Sequence, residues 1–408
     1  MRYLIIGNGA AAVGGAEGIR SVDAAGEITV LGAEPLYARP LISYLLAGKT
    51  SPERMGYRPA DFYEKMGAQV REGVTVESID PAAHKVTLAG GEKLPYDKLL
   101  VATGSSPIVP PIEGLEGVSK RFTFLSLADA RALEAELTPE SRVLVVGAGL
   151  IGLKCAEGIL ERVAQVTVVD LAKQILPSVL DAGAAERVQA HLEKHGVAFK
   201  LGQTVTRFEG DKALLSGGEG LDFDILVLAV GVRANTALVK DAGGQVGRGI
   251  AVDADGRTTL PDVFAAGDCV ESHDLATGET RVLAILPNAS MQGFAAGAAM
   301  AGGAHACDKC VAMNALCFLG LHALTAGAYV GEAHDRITES QYKRLFVEGD
   351  RLKGFILVGD VDRAGIYTAL IREKTLLSTL DFDLIFDKPQ LMAFSRTERV
   401  QRMGGLPK

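Results

Sequence analysis

Apolar and polar positions along the chain change period in an order that occurs twice. RYLII (2–6) is a short apolar run, GNGAAA (7–12) a turn of small residues, and a helical stretch rich in alanine and glycine leads to a second apolar run, EITVL (27–31). The same order returns as RVLVV (142–146), GAGLIG (147–152), a helical stretch with Ala156 one turn on, and VTVV (166–169) ending at Asp170. Short apolar runs bounded by glycine read as buried parallel strands, and the small-residue segments as helices packed closely on them. Each unit is followed at a distance by another apolar run closing on glycine, LLVATG (99–104) and ILVLAVG (225–231). The pattern predicts a duplicated parallel α/β unit.

The stretches between these units complete the architecture. A proline-bearing loop leads to a short helix at 41–47, closed by Gly48. Residues 69–79 alternate as a strand, and 85–88 and 93–96 flank Gly90-Gly91 as a hairpin. Pro107, Pro110, Pro111, Gly114 and Gly117 make an irregular link before a helix at 127–137. In the second half, 184–195 reads as an amphipathic helix, 197–208 as a strand, and 212–216 with 221–230 bracket Gly217-Gly218, so the meander is repeated as well. The stretches 250–252 and 258–260 lead back to DVFAAGDC (262–269), and Leu286-Pro287-Asn288 opens a small-residue helix at 289–300. Residues 311–330 read as a buried helix or strand pair, 341–377 as β-β-α, and 381–408 as a less regular tail. The expected fold is α/β: two Rossmann-like three-layer domains with β-meanders, at 1–113 with 246–304 and at 114–245, plus a C-terminal α+β domain at 305–408.

The glycine turns carry the first chemistry. Gly7 permits a tight turn, Gly9 lets backbone N–H groups approach a pyrophosphate, and Ala12 and Ala16 let helix and strand pack closely. The phosphates belong on the helix N-terminus, where free N–H groups and the dipole favour negative charge. Glu34 stands near the end of the second strand, where an acidic residue takes ribose hydroxyls; Gly147, Gly149, Gly152 and Asp170 repeat the arrangement. Two dinucleotides are therefore expected. Asp268 follows a strand that ends in Gly267, which suits a carboxylate accepting from ligand hydroxyls, a helix N-cap, or both. Arg39, just after the first unit, is read as facing a ligand phosphate or ring.

Composition narrows the class. A chain of 408 residues that is nearly half apolar suits about three domains with a large core. The net charge of −8 argues against nucleic acid or an anionic membrane as partner. Residues 305–408 carry 14 Lys/Arg and 13 Asp/Glu, so the acidic excess lies in the earlier part. No signal peptide is expected, because the first residues already read as a core strand, and Asn314, His322 and Thr325 break up the apolar stretch 311–330. Five cysteines without framework spacing suit a reducing cytoplasm. Cys307, Cys310 and Cys317, with His305 and His322, could form a metal or redox cluster by spacing; the preferred reading is idle thiols in an alanine-rich segment. Cys155 and Cys269 read as packing residues.

GNGAAA, ATG (102–104), GAGLIG and DVFAAGDC stand in the order seen in FAD- and NAD(P)H-dependent pyridine nucleotide-disulfide oxidoreductases, and the chain resembles that family over nearly its whole length. ARPLISYLLAGK (38–49) and LPNASMQGFAAG (286–297) are similar to the branch without a redox disulfide: rubredoxin and ferredoxin reductases and the NADH-binding part of nitrite reductase. The resemblance implies FAD on the first unit, with Gly7, Gly9, Ala10 and Ala12 at the pyrophosphate and Glu34 at the adenosine ribose. Val76 would contact adenine through its backbone, Thr103 and Gly104 would lie along the cofactor, and Asp268 would hold the ribityl chain. Arg39 and Pro40 belong to the same set, and the helix starting near Asn288 would point its N-terminus at the flavin. The nicotinamide cofactor would sit on Gly147, Gly149, Leu150, Ile151 and Gly152, with Gly231 beside it. A carboxylate at Asp170 accepts from a ribose 2′-hydroxyl and repels a 2′-phosphate, which favours NADH over NADPH.

The sequence also departs from its relatives. Pro40 stands where some of them carry a redox cysteine, and no cysteine precedes Cys155, so a flavin–thiol relay is ruled out. Lys154 and Tyr44 occupy places that hold a glutamate and, nearby, a lysine in many relatives, which makes Lys154 a candidate redox-centre residue. The usual acidic residue just before Glu34 is Ala33. The implied activity is hydride transfer from NADH to FAD, then electron transfer to a small carrier such as rubredoxin or ferredoxin, or to an iron–sulfur partner subunit. The alternatives are an NADH oxidase that reduces oxygen directly, and a flavin-bearing assembly subunit with slow NADH turnover. Lys343, Arg344, Arg351 and Lys353 are weighed as a docking patch for an acidic carrier, with a solvated charged face preferred. Oligomeric state is open, a homodimer included.

Overall fold

The structure is a computed structural model that describes residues 1–402, with side chains through residue 400; the end of the expected tail lies outside the described residues. The chain forms two compact units. One comprises Met1–Leu176, Glu193–His273 and Thr280–Cys310; the other comprises Pro177–Leu192, Asp274–Glu279 and the chain from Val311 onward.

The first unit holds two five-stranded parallel sheets. One runs in the order Val263–Ala265, Lys98–Val101, Arg2–Ile6, Glu27–Gly32, Ala68–Glu72. The other runs Val197–Leu201, Gln165–Asp170, Arg142–Val146, Ile225–Leu228, Arg121–Thr123. The duplication reaches individual bonds. Gly7 donates to Leu31 O and Gly147 to Val169 O, both at 2.8 Å. Arg2 pairs with Asp97 through its amide (2.7 Å) and its guanidinium (2.6 Å), and Arg142 pairs with Asp224 in the same way, at 2.7 and 2.8 Å.

Each parallel sheet is followed by an antiparallel three-stranded meander, Val76–Asp80 with Lys85–Leu88 and Lys93–Pro95, and Val205–Phe208 with Lys212–Leu215 and Gly220–Asp222. The strands expected at 69–79 and 197–208 are therefore two strands each. The chain leaves the parallel sheet at Gly73 (φ +70°) and Gly202 (φ +69°), in left-handed conformations that suit glycine. The stretch 221–230 divides likewise, and 258–260 is a turn in which Thr258 Oγ donates to Val263 O at 2.8 Å.

Two helices, Ala10–Val22 and Leu286–Met300, meet backbone to backbone on the first sheet. A Cβ at Gly14, Gly18, Gly293 or Gly297 would stand 2.3, 2.1, 2.0 or 2.1 Å from a carbonyl oxygen of the facing helix. Only glycine at these four places permits the approach. Ala11, Ala12, Ala16, Ala289, Ala296 and Ala299 fill the rest of this core with Ile5, Leu100 and Phe264.

The second unit is built on a five-stranded antiparallel sheet in the order Met313–Phe318, Leu321–Gly327, Arg351–Val358, Tyr342–Glu348, Glu332–Ile337, with the helix Ala364–Arg372 packed on it. Residues 311–330 thus resolve as a strand pair, and the expected β-β-α is part of a larger sheet. The cations weighed as a docking patch are engaged inside this unit. Lys343 is buried and donates to Phe386 O and Asp387 O, both at 3.1 Å. Arg344 holds Asp181 (2.7 Å) and Asp335 (2.6 Å), Arg351 donates to Lys374 O, and Lys353 lies 3.4 Å from Glu348. Among the described residues no helix is long and apolar enough to cross a membrane.

Candidate functional site

Both glycine turns lie in the first unit and have the same construction. Gly7 (φ +114°) and Gly147 (φ +119°) are left-handed, and a Cβ there would lie 2.1 Å from Ala102 O and 2.3 Å from Ala229 O respectively, so only glycine fits. Gly9 and Gly149 are the opposite case, with no atom within 4 Å of an added Cβ. Each is the N-cap of the helix that follows, and neither helix start has a side-chain cap. Open space in front of uncapped N–H donors is what a diphosphate requires, and a side chain at either glycine would fill it. The residues present therefore fit two dinucleotides. Ala12 is fully buried, a Cβ at Gly152 would stand 1.9 Å from Gly147 O, and Ala10, Leu150 and Ile151 are half-buried in the first helical turns.

Around the first turn the polar side chains are tied to one another. Glu34 lies two residues past the strand end at Gly32. Tyr37 donates its hydroxyl to Glu34 Oε2 at 3.0 Å and accepts the Leu127 N–H at 2.8 Å. Burial pushes the Tyr37 phenol up to about 12, which keeps it a donor. The Arg39 guanidinium lies 3.7 Å from the same carboxylate oxygen, and Asn8 in the turn donates to Glu34 O at 3.3 Å while accepting from Tyr63 OH at 2.7 Å. Arg39 and Pro40 are exposed at the start of a short 3₁₀ turn. Val76 is half-buried at the start of the meander and packs on the core that contains Leu31.

Asp268 is half-buried, and burial pushes its carboxyl up while the Arg39 charge opposes this. The element that follows is the strand Val270–His273, so the helix N-cap reading of Asp268 is corrected: no helix begins there. A largely desolvated carboxylate is suited to accept from ligand hydroxyls. Its neighbour Gly267 donates to Gln292 Oε1 at 2.8 Å, which fixes the turn against the helix Leu286–Met300. Asn288 is fully buried in the first turn of that helix.

Thr103 and Gly104 are held by one residue, Asn235. Thr103 Oγ donates to Asn235 O, Asn235 Nδ2 to Thr103 O, and the Asn235 amide to Gly104 O, each at 2.9 Å. Beside this clamp Val232–Ala234 pairs with Ser105–Pro107, and Ile108 donates to Gly231 O at 3.0 Å. The two connections between the parallel sheets are thus zipped together.

At the second turn, Asp170 ends its strand with its carboxylate against the glycine loop: Oδ2 accepts the Ala148 N–H at 2.6 Å and Oδ1 the Ala172 N–H at 2.7 Å. Each oxygen keeps lone-pair capacity for a further donor. Lys154, one turn into the helix Leu150–Ile159, is paired with Glu157, and its ammonium lies 5.0 Å from the centre of the Tyr44 ring. The helix Ile42–Leu46 carries Tyr44 and packs closely here, since a Cβ at Gly158 would stand 2.7 Å from Ser43 O. Lys154 and Tyr44 are therefore neighbours in space. Cys155 and Cys269 are fully buried, and burial pushes both thiols up. Among the described residues no group of three or more His, Cys, Asp or Glu is arranged to hold a metal.

Sequence reasoning did not single out Asn235, Tyr37, Asn8 or Gln292. A polar residue directly after GVRA, at the exit of the second half, was the available signal for Asn235. The other three act across long separations and leave no local pattern.

The profile of the pyridine nucleotide-disulphide oxidoreductase family matches residues 1–293. The epsilon subunit of NADH-dependent phenylglyoxylate dehydrogenase from Aromatoleum evansii is 32% identical over 394 residues, spanning 93% of each chain. An NADH oxidase from Methanocaldococcus jannaschii is 36% identical over 318 residues, or 74% of this chain and 70% of that one. A rubredoxin-NAD(+) reductase from Pseudomonas putida is 30% identical over 300 residues, or 72% and 78%. With two open glycine turns on paired parallel sheets and these matches, the chain belongs to the pyridine nucleotide-disulphide oxidoreductase family.

Proposed function

We infer that the chain is an FAD-dependent NADH oxidoreductase that passes electrons from NADH to a small redox carrier of the rubredoxin or ferredoxin type, or to an iron–sulfur partner subunit. The observation that carries the reading is the pair of uncapped, open helix starts behind Gly9 and Gly149. Bound together, the two cofactors would supply the hydride- and electron-transfer chemistry. The chain supplies positions and charge. Gly7, Gly9, Ala10 and Ala12 admit the FAD diphosphate, Glu34 and Val76 receive the adenosine end, and Thr103 and Gly104 line the cofactor under the hold of Asn235. Asp268 accepts from the ribityl hydroxyls, with Arg39 beside it and Pro40 in place of a thiol. The helix bearing Asn288 presents N–H groups and the positive end of its dipole. Gly147, Gly149, Leu150, Ile151 and Gly152 admit the NADH diphosphate, with Gly231 beside it and Asp170 accepting from the adenosine ribose.

Residues 1–113 with 246–304 serve FAD in this reading, 114–245 serve NADH, and the chain from 305 on serves the acceptor. The cytoplasm is the compartment it points to, because five cysteines without framework spacing suit a reducing environment. Neither nucleic acid nor a membrane is a partner, and a homodimer is compatible with it. The oxidase alternative is supported by the M. jannaschii relative.

The test is anaerobic. The flavin-loaded protein is mixed with NADH or NADPH, loss of flavin absorbance is followed, and rubredoxin, ferredoxin and oxygen are then added separately. Fast bleaching by NADH and fast reoxidation by a carrier are expected. Bleaching only on the scale of hours refutes the reading in favour of an assembly subunit, and reoxidation by oxygen as fast as by any carrier refutes it in favour of an oxidase.

A further inference from the structure

Cys307 and Cys310 lie beyond the region that the family profile matches, yet the fold brings them together. Their sulfurs are 3.3 Å apart, in contact; Cys310 is fully buried and Cys307 half-buried. Surrounding groups fix the segment. Cys307 N–H donates to Ala254 O at 2.8 Å, and the His305 ring packs edge-on to Phe294, centroid to centroid 5.3 Å. Gln292 Nε2 reaches both Ser272 Oγ (3.0 Å) and Cys310 Sγ (3.5 Å). A metal site is not the explanation, because no third ligand completes the pair among the described residues. Idle thiols do not account for two sulfurs held in contact, one buried and one half-exposed.

We propose that Cys307 and Cys310 form a thiol–disulfide couple that closes and opens by exchange with small-molecule disulfides such as oxidised glutathione. The half-buried Cys307, as thiolate, attacks one sulfur of the reagent, forms a mixed disulfide and releases one glutathione thiol. Cys310 then attacks Sγ of Cys307, the mixed disulfide breaks, and the second glutathione leaves. The two cysteines together lose two protons and two electrons, and the reagent's disulfide takes both to become two thiols. Closing the bond requires the sulfurs to approach by about 1.2 Å, which side-chain rotation supplies. The hydrogen bond between the two thiols, with burial, holds Cys307 protonated in the reduced state, so exchange is slow.

The test uses the full chain, reduced and then freed of reductant. It is incubated with oxidised glutathione, quenched in acid, alkylated with N-ethylmaleimide, and read by intact mass and peptide mapping. The wild type is expected to lose two alkylatable thiols, with the 307–310 peptide lighter by two hydrogens, and dithiothreitol restores both. Cys310→Ser is expected to trap glutathione on Cys307, and Cys307→Ser to show neither a disulfide nor a mixed disulfide at Cys310. A wild type that keeps both thiols against a large excess of oxidised glutathione overturns the proposal, as does a Cys307→Ser variant that loses Cys310 at the wild-type rate. The wild-type measurement stands alone should either variant fail to fold.

Discussion

Gly293→Ala tests how the first nucleotide turn is held. The added methyl would lie 2.0 Å from Ala11 O and 2.8 Å from Ala11 C, both backbone atoms that cannot rotate away. Reaching even 3.0 Å, the near limit for real Cβ contacts, means parting the helices Ala10–Val22 and Leu286–Met300 by about 1 Å at their closest point. Overpacking of this kind costs about 1–3 kcal/mol, and a rigid backbone neighbour puts it at the upper end. Alanine returns about 1 kcal/mol of helix propensity. Unfolding entropy scales with chain length, so for 408 residues the net loss of about 2 kcal/mol corresponds to a fall of only about 2–3 °C in Tm. Gly9→Ala is the contrast, because nothing lies within 4 Å of its Cβ. It costs at most about 1 kcal/mol as a poorer N-cap but fills the phosphate approach. Thermal melts of both flavin-free variants, with FAD titrations of each, separate the two effects: Gly293→Ala loses stability first, and Gly9→Ala loses FAD affinity first, by at least about tenfold. A Gly293→Ala protein that melts with the wild type refutes the backbone contact, and a Gly9→Ala protein that keeps wild-type FAD affinity refutes the phosphate site.

Asp268→Asn removes a charged acceptor worth about 1.5–3 kcal/mol of hydrogen bonding, so the FAD Kd measured by fluorescence quenching rises about 10–100-fold. With Asp170 as the proposed ribose acceptor, Asp170→Ala removes that carboxylate together with its two backbone bonds; KM for NADH is expected to rise at least about tenfold while that for NADPH changes less, in steady-state assays with an artificial acceptor. The Arg2 and Arg142 guanidiniums hold Asp97 and Asp224 down at about 2, below an unfolded value near 4. Their stabilisation is therefore complete above about pH 4 and is lost as pH falls toward 2, by at most about 1 kcal/mol each given their exposure, so denaturant midpoints of an Asp97→Asn/Asp224→Asn variant fall less between pH 6 and pH 3 than those of the wild type.

The apolar runs, the glycine turns and the hairpin glycines were legible because each is dictated locally. Gly7 and Gly147 have to be glycine, and YLII (3–6) and VLVV (143–146) have to be buried. Sheet membership was not legible. The alternation in 69–79 continues through Gly73, and nothing local says that Val70 and Val76 belong to different sheets. The strand Glu332–Ile337 was missed because an exposed edge strand needs no apolar face. Lys343 was misread for the converse reason: a lysine stem can be buried when carbonyls take its ammonium, and those of Phe386 and Asp387 lie more than forty positions away. The contact between Cys307 and Cys310 depends on how an irregular segment sits against Gln292, which spacing alone does not encode.

If FAD occupies the first turn and NADH the second, as proposed, the packing behind the two turns suits a resident group at one and an exchanging ligand at the other. Both turns present the same open N-cap, so what differs is the support behind each helix. The first helix is buried along most of its length, with four glycines locking it onto the fifteen-residue helix Leu286–Met300. The second is shorter and meets the five-residue helix Ile42–Leu46 through Gly158 and the Lys154–Tyr44 contact. A site on the more deeply packed helix is pre-organised and loses little entropy on binding, which favours a resident group; a site on the more lightly held helix favours a ligand that must leave at every turnover. The support for the proposed order of the two sites therefore comes from the backbone contacts of four glycines rather than from any difference in the turns themselves.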